Sequence, residues 1–175
     1  ISNIILKKKM TDGTSGNMRM ANSQNKTNST SASVSLNYRK GKQNLFIQVD
    51  NLYTHTLNKN EFITRKYDNG DITQQQLKRN RNTNFFTSKA GVDWNFNEKN
   101  TLTVSGLFGS EKIIDRGDQP FFNEDLTSRR RLWQFLEDEL KTTVMATASF
   151  QHKFSQPGRF LNIGLNYTFH REDEK

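Results

Sequence analysis

His55, His152 and His170 are the chain's three histidines, and with no cysteine they are the first candidates for metal chemistry. Zinc-type sites gather their ligands at short, repeated spacings. These three stand far apart, each in a different stretch of chain, so separate surface or rim positions fit better than a ligand set. No metal and no cofactor is expected. General acid–base catalysis would need Asp115, Asp118 or Glu124 to meet His170, and nothing in their spacing brings them together. There is no phosphate-cradling glycine loop and no nucleophile turn. Arg116-Gly117-Asp118 spells an integrin-binding tripeptide inside what reads as a long loop. Asn25-Lys26-Thr27, Asn28-Ser29-Thr30 and Asn166-Tyr167-Thr168 match the N-glycosylation sequon. Triplets of this kind recur by chance, and none is taken as functional.

Recognition chemistry remains. Arg65, Lys66 and Tyr67 form one group, and Arg116, Phe121, Phe122 and Trp133 a second. Both combine cations with aromatic rings in loop-like sequence, the pairing that binding surfaces favour. Arg129-Arg130-Arg131 and Glu137-Asp138-Glu139 could meet charged headgroups, but internal ion pairing in a solvated loop is the better reading. These seven residues are the candidate ligand-binding set.

The elements that must position them follow from periodicity. Leu45, Ile47, Val49 and Tyr53 share one parity, with Gln48 and Asp50 on the other. Phe86, Ala90, Val92, Trp94 and Phe96 alternate with Thr87, Lys89, Gly91 and Asp93. The same alternation runs through Val34–Tyr38, Leu102–Phe108, Val144–Phe154 and Leu161–Phe169, and more weakly through Thr14–Ser23. Strand side chains point to opposite faces with period two, so each segment has one apolar and one polar face. About seven strands result. Arg19, Asp50, Lys89, Asp93 and Lys153 all fall opposite the apolar residues of their own strand, which predicts two segregated faces.

Hydrophobic residues make up only 32% of 175 residues, charge is +8, and mean hydropathy is −0.88. No window is apolar enough for a membrane helix. The cations are spread through turns rather than along one stripe, which argues against a nucleic-acid partner. A membrane barrel escapes the low-hydropathy objection, because its strands show lipid only their alternate residues. Short connections at Lys40–Gln43, Asn97–Asn100 and Ser155–Gly158 alternate with long ones near Gln24–Ser29, Asn58–Phe85 and Glu111–Lys141, the outer-membrane pattern of tight turns and long outer loops. Tyr38, Trp94, Phe96 and Phe154 lie beside the short turns, and Tyr53, Phe86, Phe108, Tyr167 and Phe169 lie at the opposite ends, as two interfacial girdles would. Asp68-Asn69-Gly70-Asp71 predicts a hairpin with a type I′ turn. In the third long loop, Leu132, Trp133, Phe135, Leu136 and Leu140 fit a helix capped at Thr127 or Ser128, and fit an extended hairpin nearly as well. The expectation is an all-β antiparallel meander forming part of a transmembrane β-barrel, with further strands needed to close it.

Ile1-Ser2-Asn3-Ile4-Ile5-Leu6-Lys7-Lys8-Lys9, followed by Asp12-Gly13-Thr14-Ser15-Gly16, resembles the plug-closing strand and plug-to-barrel passage of TonB-dependent receptors, especially those of Bacteroidetes. The resemblance continues through Ser35–Lys42, Asn97–Leu102, Gln156-Pro157-Gly158 and Leu165–Phe169. It implies that residues 1–13 end a plug and linker, and that residues 14–175 begin a barrel of about 22 strands. It further implies a bacterial outer-membrane protein taking up an external ligand with TonB-coupled energy. Its partners would be outer-membrane lipids, TonB and that ligand, and no bond-making chemistry is expected. The alternatives are a structural or adhesive outer-membrane barrel without transport and, less favoured, a barrel enzyme.

Overall fold

The computed structural model describes residues 12–24, 27–57 and 61–175. The plug-closing strand expected at residues 1–9 therefore lies outside the described residues, as do parts of the first sequon and of the second long loop. Eight strands form one antiparallel sheet: β1 (Gly13–Gln24), β2 (Asn28–Lys40), β3 (Gln43–Leu57), β4 (Glu61–Lys66), β5 (Ile72–Asn95), β6 (Asn100–Phe122), β7 (Arg129–Lys153) and β8 (Phe160–Glu174). Their order is β1-β2-β3-β5-β6-β7-β8, with β4 paired to β5. This is a meander, because hairpin connections make chain neighbours into sheet neighbours. The sheet is open, its edges β1 and β8.

Seven strands were expected and an eighth, β4, lies in what was read as the second long loop. The expected long loops are in fact mostly strand. β5, β6 and β7 run 24, 23 and 25 residues without a break, apart from one register irregularity at Phe121/Phe122. The first connection is not long either, since Asn28 directly opposes Gln24. Of the two alternatives for the third loop, the hairpin is found, and no helix occurs among the described residues. The Asp68–Asp71 hairpin is present, but its turn is not type I′. Gly70 N–H donates to the Tyr67 carbonyl at 2.9 Å, and only Gly70 takes a left-handed φ, +86°. That is a type I turn closed by a glycine bulge, the usual solution when three residues rather than two join the arms.

The register sorts the side chains. Tyr38, Leu45, Val92, Val104, Ala148 and Leu165 form one row across six strands on one face. Val34, Val49, Ser88, Phe108, Val144 and Phe169 form another row on that face. Arg19, Asp50, Lys89, Asp93 and Lys153 all lie on the other, so the predicted segregation of charge holds strand by strand. The polar face is the more covered one: Ser33, Ser35, Asn37 and Arg39 are half-buried, while Val34, Leu36 and Tyr38 between them are exposed. With only one sheet, side chains can cover one another only on the side toward which it curls. The sheet therefore curls toward its polar face and presents its apolar face outward. Among the described residues a single hydrophobic side chain, Ile113, is fully buried.

The three short turns sit at one end, as expected. Asn95 N–H donates to the Lys42 carbonyl and Lys153 N–H to the Lys99 carbonyl, both at 2.8 Å, which stitches neighbouring turns into one arc. Trp94 and Phe96 pair at 4.8 Å beside this arc, with Phe154 next to His152 at 4.7 Å. Phe86 and Phe108 meet at 6.3 Å at the other limit of the apolar band. From Leu161 to Phe169 the band spans about 27 Å of strand at ~3.3 Å per residue.

Candidate functional site

Beyond Phe86 and Phe108 the outward face becomes mixed, with Leu132, Leu136 and Leu140 set among Lys112, Arg116 and Asp118, and β5, β6 and β7 continue side by side as a platform carrying the β4 arm. Cross-strand pairing fixes what faces what. On the polar, inward face Gln75 opposes Phe121, Arg79 opposes Gly117, Arg81 opposes Asp115, and Thr83 opposes Ile113. The facing β7 partners are Arg131, Phe135, Glu137 and Glu139.

Asp115 is the centre of this surface and is only 1% exposed. Its Oδ2 accepts a hydrogen bond from Arg81 Nε at 3.0 Å and forms an ion pair with Arg79 Nη2 at 3.1 Å. Glu137 stands further off, 3.8 Å from Arg79 and 4.0 Å from Arg81. Two cations and two carboxylates thus compensate one another, yet Asp115 Oδ1, Arg79 Nε and Gln75 Oε1 have no protein partner. Buried polar atoms without partners are uncommon and mark places where something else donates or accepts. The Phe135 ring lies over Gly117, where an added Cβ would stand 2.2 Å from a ring carbon and 2.9 Å from the Lys78 carbonyl. Glycine there lets the ring lie flat against the sheet, and Arg79 stacks on it at 5.1 Å. Trp133 follows at 5.8 Å from Phe135. Leu77, Arg79, Gln119, Trp133, Phe135 and Glu137 border an open cleft of about 650 Å³.

Toward the apolar band, Glu139, Lys141 and Glu172 form a second cluster. Lys141 Nζ lies 2.7 Å from Glu139 and 3.6 Å from Glu172. A hydrogen bond shared with Glu172, and then Lys141, holds the Glu139 carboxyl below its ordinary range. The same shared bond, with burial, pushes Glu172 up. Glu172 is thus the member of the pair that keeps a proton longest as pH rises.

The candidate ligand residues split between the two faces. Arg65, Phe121 and Trp133 lie on the inward face, where Arg131 stacks over Phe121 at 6.0 Å. Tyr67 sits at the β4–β5 turn. Lys66, Arg116 and Phe122 occupy the opposite parity and face outward, so the seven do not form one site. Alternation separates Arg116 from Phe121 and Phe122 from Trp133 just as it separates charge from apolar residues in the spans. The reading missed Arg79 and Arg81, and it named Asp115 and Glu137 only for other roles, a catalytic acid and a headgroup or loop ion pair. A signal for them existed, since the Asn97–Asn100 turn fixes the β5–β6 register and so places Arg81 opposite Asp115.

The tripeptide Arg116-Gly117-Asp118 lies in a central strand paired on both sides, not in a loop, and Asp118 accepts a bond from Gln134 at 2.9 Å. His152 bonds Asn100 at 2.7 Å and His170 bonds Thr143 at 2.9 Å, on opposite faces. His170 stands about 20 Å along the strand direction from the Asp115 level. No metal-holding group of three histidines or carboxylates occurs among the described residues. The platform offers stacking rings, paired cations and a buried carboxylate, which is equipment for recognising a polar ligand. Comparison with protein-family models, characterised proteins and solved structures finds no match to this chain.

Proposed function

We propose that this sheet is part of the wall of a bacterial outer-membrane β-barrel, and that the barrel is a receptor taking up an external ligand with TonB-coupled energy. The observation that carries the membrane reading is the outward apolar face. Leu36, Leu45 and Leu165 are 47%, 49% and 72% exposed there, and no charged side chain of the spans shares that face. In water such a band would be a large uncovered apolar surface, which soluble monomers rarely tolerate. In lipid it is the required exterior, and charges belong on the wet inner side. The open edges β1 and β8 need partners, because lipid offers an unpaired strand no hydrogen bonds. The short turns then mark the periplasmic rim, and the β4–β5 and β6–β7 hairpins stand outside the cell. TonB coupling rests on the resemblance of residues 1–9 to a plug-closing strand.

The absence of cysteine makes the test simple. Asn69→Cys places a thiol at an outer hairpin tip and Glu98→Cys places one on a short turn of the full-length protein. A membrane-impermeant maleimide added to intact cells should label the first, and the second only after permeabilisation. Equal labelling of both in intact cells would end the proposed topology. Ligand uptake that survives deletion of TonB would leave a barrel without the proposed energy coupling.

A further inference from the structure

The two ends of the apolar band are charged differently. At the outer end, the cations directed outward just beyond the band are paired: Lys112 with Asp138, and Arg171 with Asp173 at 2.7 Å. At the short-turn end, Lys40, Lys42, Lys99 and Arg159 lie on the turns or the outward parity with Asp12 and Glu98 as the acids of those turns, while Arg39 and Lys153 point to the inward face together with Asp93. None of the six forms a salt bridge among the described residues. Three of them are instead held by neutral groups, Arg159 through Nη1 donating to Gln156 Oε1 within its own turn. Lys42 Nζ donates to the Phe96 carbonyl at 2.7 Å and Lys99 Nζ donates to Ser155 Oγ at 2.8 Å, each reaching from its own turn to the next. An ammonium has three donors, so each keeps donors for another acceptor. Directly alongside, on the apolar face, are Tyr38, Trp94, Phe96 and Phe154, all between 37% and 49% exposed. A continuous arc of uncompensated cations thus borders an aromatic belt, which in turn borders the apolar band.

We propose that this arc docks the anionic headgroups of phospholipids, their phosphates on Lys42, Lys99 and Arg159 and their upper acyl chains against the Trp94–Phe96 pair and Phe154. The proposal rests on the membrane reading above. The charge asymmetry between the two edges of the band selects the leaflet, because the outward cations next to the band are ion-paired at the outer edge and not at the short-turn edge. Lys78 and Arg116, which also form no salt bridge among the described residues, stand eight residues beyond Phe86 and Phe108. A basic residue near an anionic leaflet contributes on the order of 1 kcal/mol, or about fivefold in affinity. Three such residues together give roughly 100-fold at low salt.

The full-length protein, folded into vesicles of neutral phosphatidylcholine and into vesicles part-substituted with phosphatidylglycerol, tests this. The expected result is a folding equilibrium roughly 100-fold more favourable with phosphatidylglycerol, fading as salt screens the charges. The triple variant Lys42→Gln, Lys99→Gln, Arg159→Gln should lose that preference while folding normally into neutral vesicles. Lys78→Gln, Arg129→Gln, Arg130→Gln, at the far end, should keep it. An equal phosphatidylglycerol preference in the rim variant and the native protein overturns the proposal. So does inorganic phosphate reproducing the effect in neutral vesicles, which would indicate a site for free anions. Failure of the native protein to insert into either vesicle would remove the barrel reading and this one together, whereas insertion without lipid preference removes only this one.

Discussion

Ala148 and Ser149 are chain neighbours on β7 that project to opposite faces, and they give the sharpest test of which side meets lipid. Ala148 sits in the middle of the apolar row, between Val104 on β6 and Leu165 on β8. Ser149 sits between Thr103 and Gly164 on the polar face and is exposed, and an added Cβ at Gly164 would meet nothing within 4 Å. Ala148→Arg places a guanidinium near the middle of the band, at a cost of about 2–4 kcal/mol in a bilayer. That corresponds to roughly a 30- to 700-fold loss in the folding equilibrium constant. Ser149→Arg adds the same charge to a wet face and should stay within about 0.5 kcal/mol of the native protein. Denaturant titration of the full-length protein in vesicles, followed by tryptophan emission, measures both. A sheet lying in water would treat the two substitutions alike, so equal stabilities would refute the assignment of faces. A larger loss for Ser149→Arg would invert it.

Three further outcomes follow from the outer platform. Gly117→Ala should displace the Phe135 ring, costing about 1–3 kcal/mol locally, which faster amide exchange in β6 and β7 around residues 115–118 and 134–137 would report. Asp125 is held below its ordinary 3.8, first by the Thr127 hydroxyl and then by the Thr127 N–H. The order it lends to the β6–β7 turn is therefore complete above that value and is lost as pH falls through the lowered one; a protection factor at Thr127, taken relative to the intrinsic exchange rate at each pH, that shows no fall on acidification would contradict this. If the inward face binds the ligand, Trp133→Ala and Phe121→Ala should each weaken ligand affinity by about 30-fold, the scale of a hot-spot aromatic, whereas Arg116→Ala and Phe122→Ala should leave it nearly unchanged. Calorimetric titration of the full-length protein distinguishes these, and an affinity loss confined to Arg116 would move the site to the other face.

What was legible in the sequence followed the solvent. Leu45 to Tyr53 and Leu161 to Phe169 alternate, and the register puts the apolar residues of both on one face of the sheet and the polar ones on the other, as expected. The stretch from Thr73 to Asn84 contains Gln74, Gln75, Gln76, Lys78, Arg79, Asn80, Arg81 and Asn82 and alternates hardly at all, yet every residue of it is paired on at least one side, the β5–β6 ladder from Gln74 onward skipping only Gln76 and Leu77. Beyond the band neither face needs to be apolar, so backbone pairing persists after the side-chain signal that advertises it has vanished. Long strands were for this reason read as loops. The candidate ligand residues suffered from the same misreading, because a loop has no parity. Once Phe121, Phe122 and Trp133 are placed on paired strands, counting by twos from Phe108 or Val144 assigns each to a face.

The uninterrupted run of β5, β6 and β7 has a mechanical meaning. Each reaches about 80 Å from the short turns to the outer hairpins at ~3.3 Å per residue. A pull on the β6–β7 tip along the strands would load many inter-strand hydrogen bonds together, in shear, instead of peeling them apart one at a time. Such a structure behaves as a stiff beam anchored at its far end. Phe121 and Trp133 are thereby carried at a set height and bearing, and neither can be displaced without moving the whole three-stranded run.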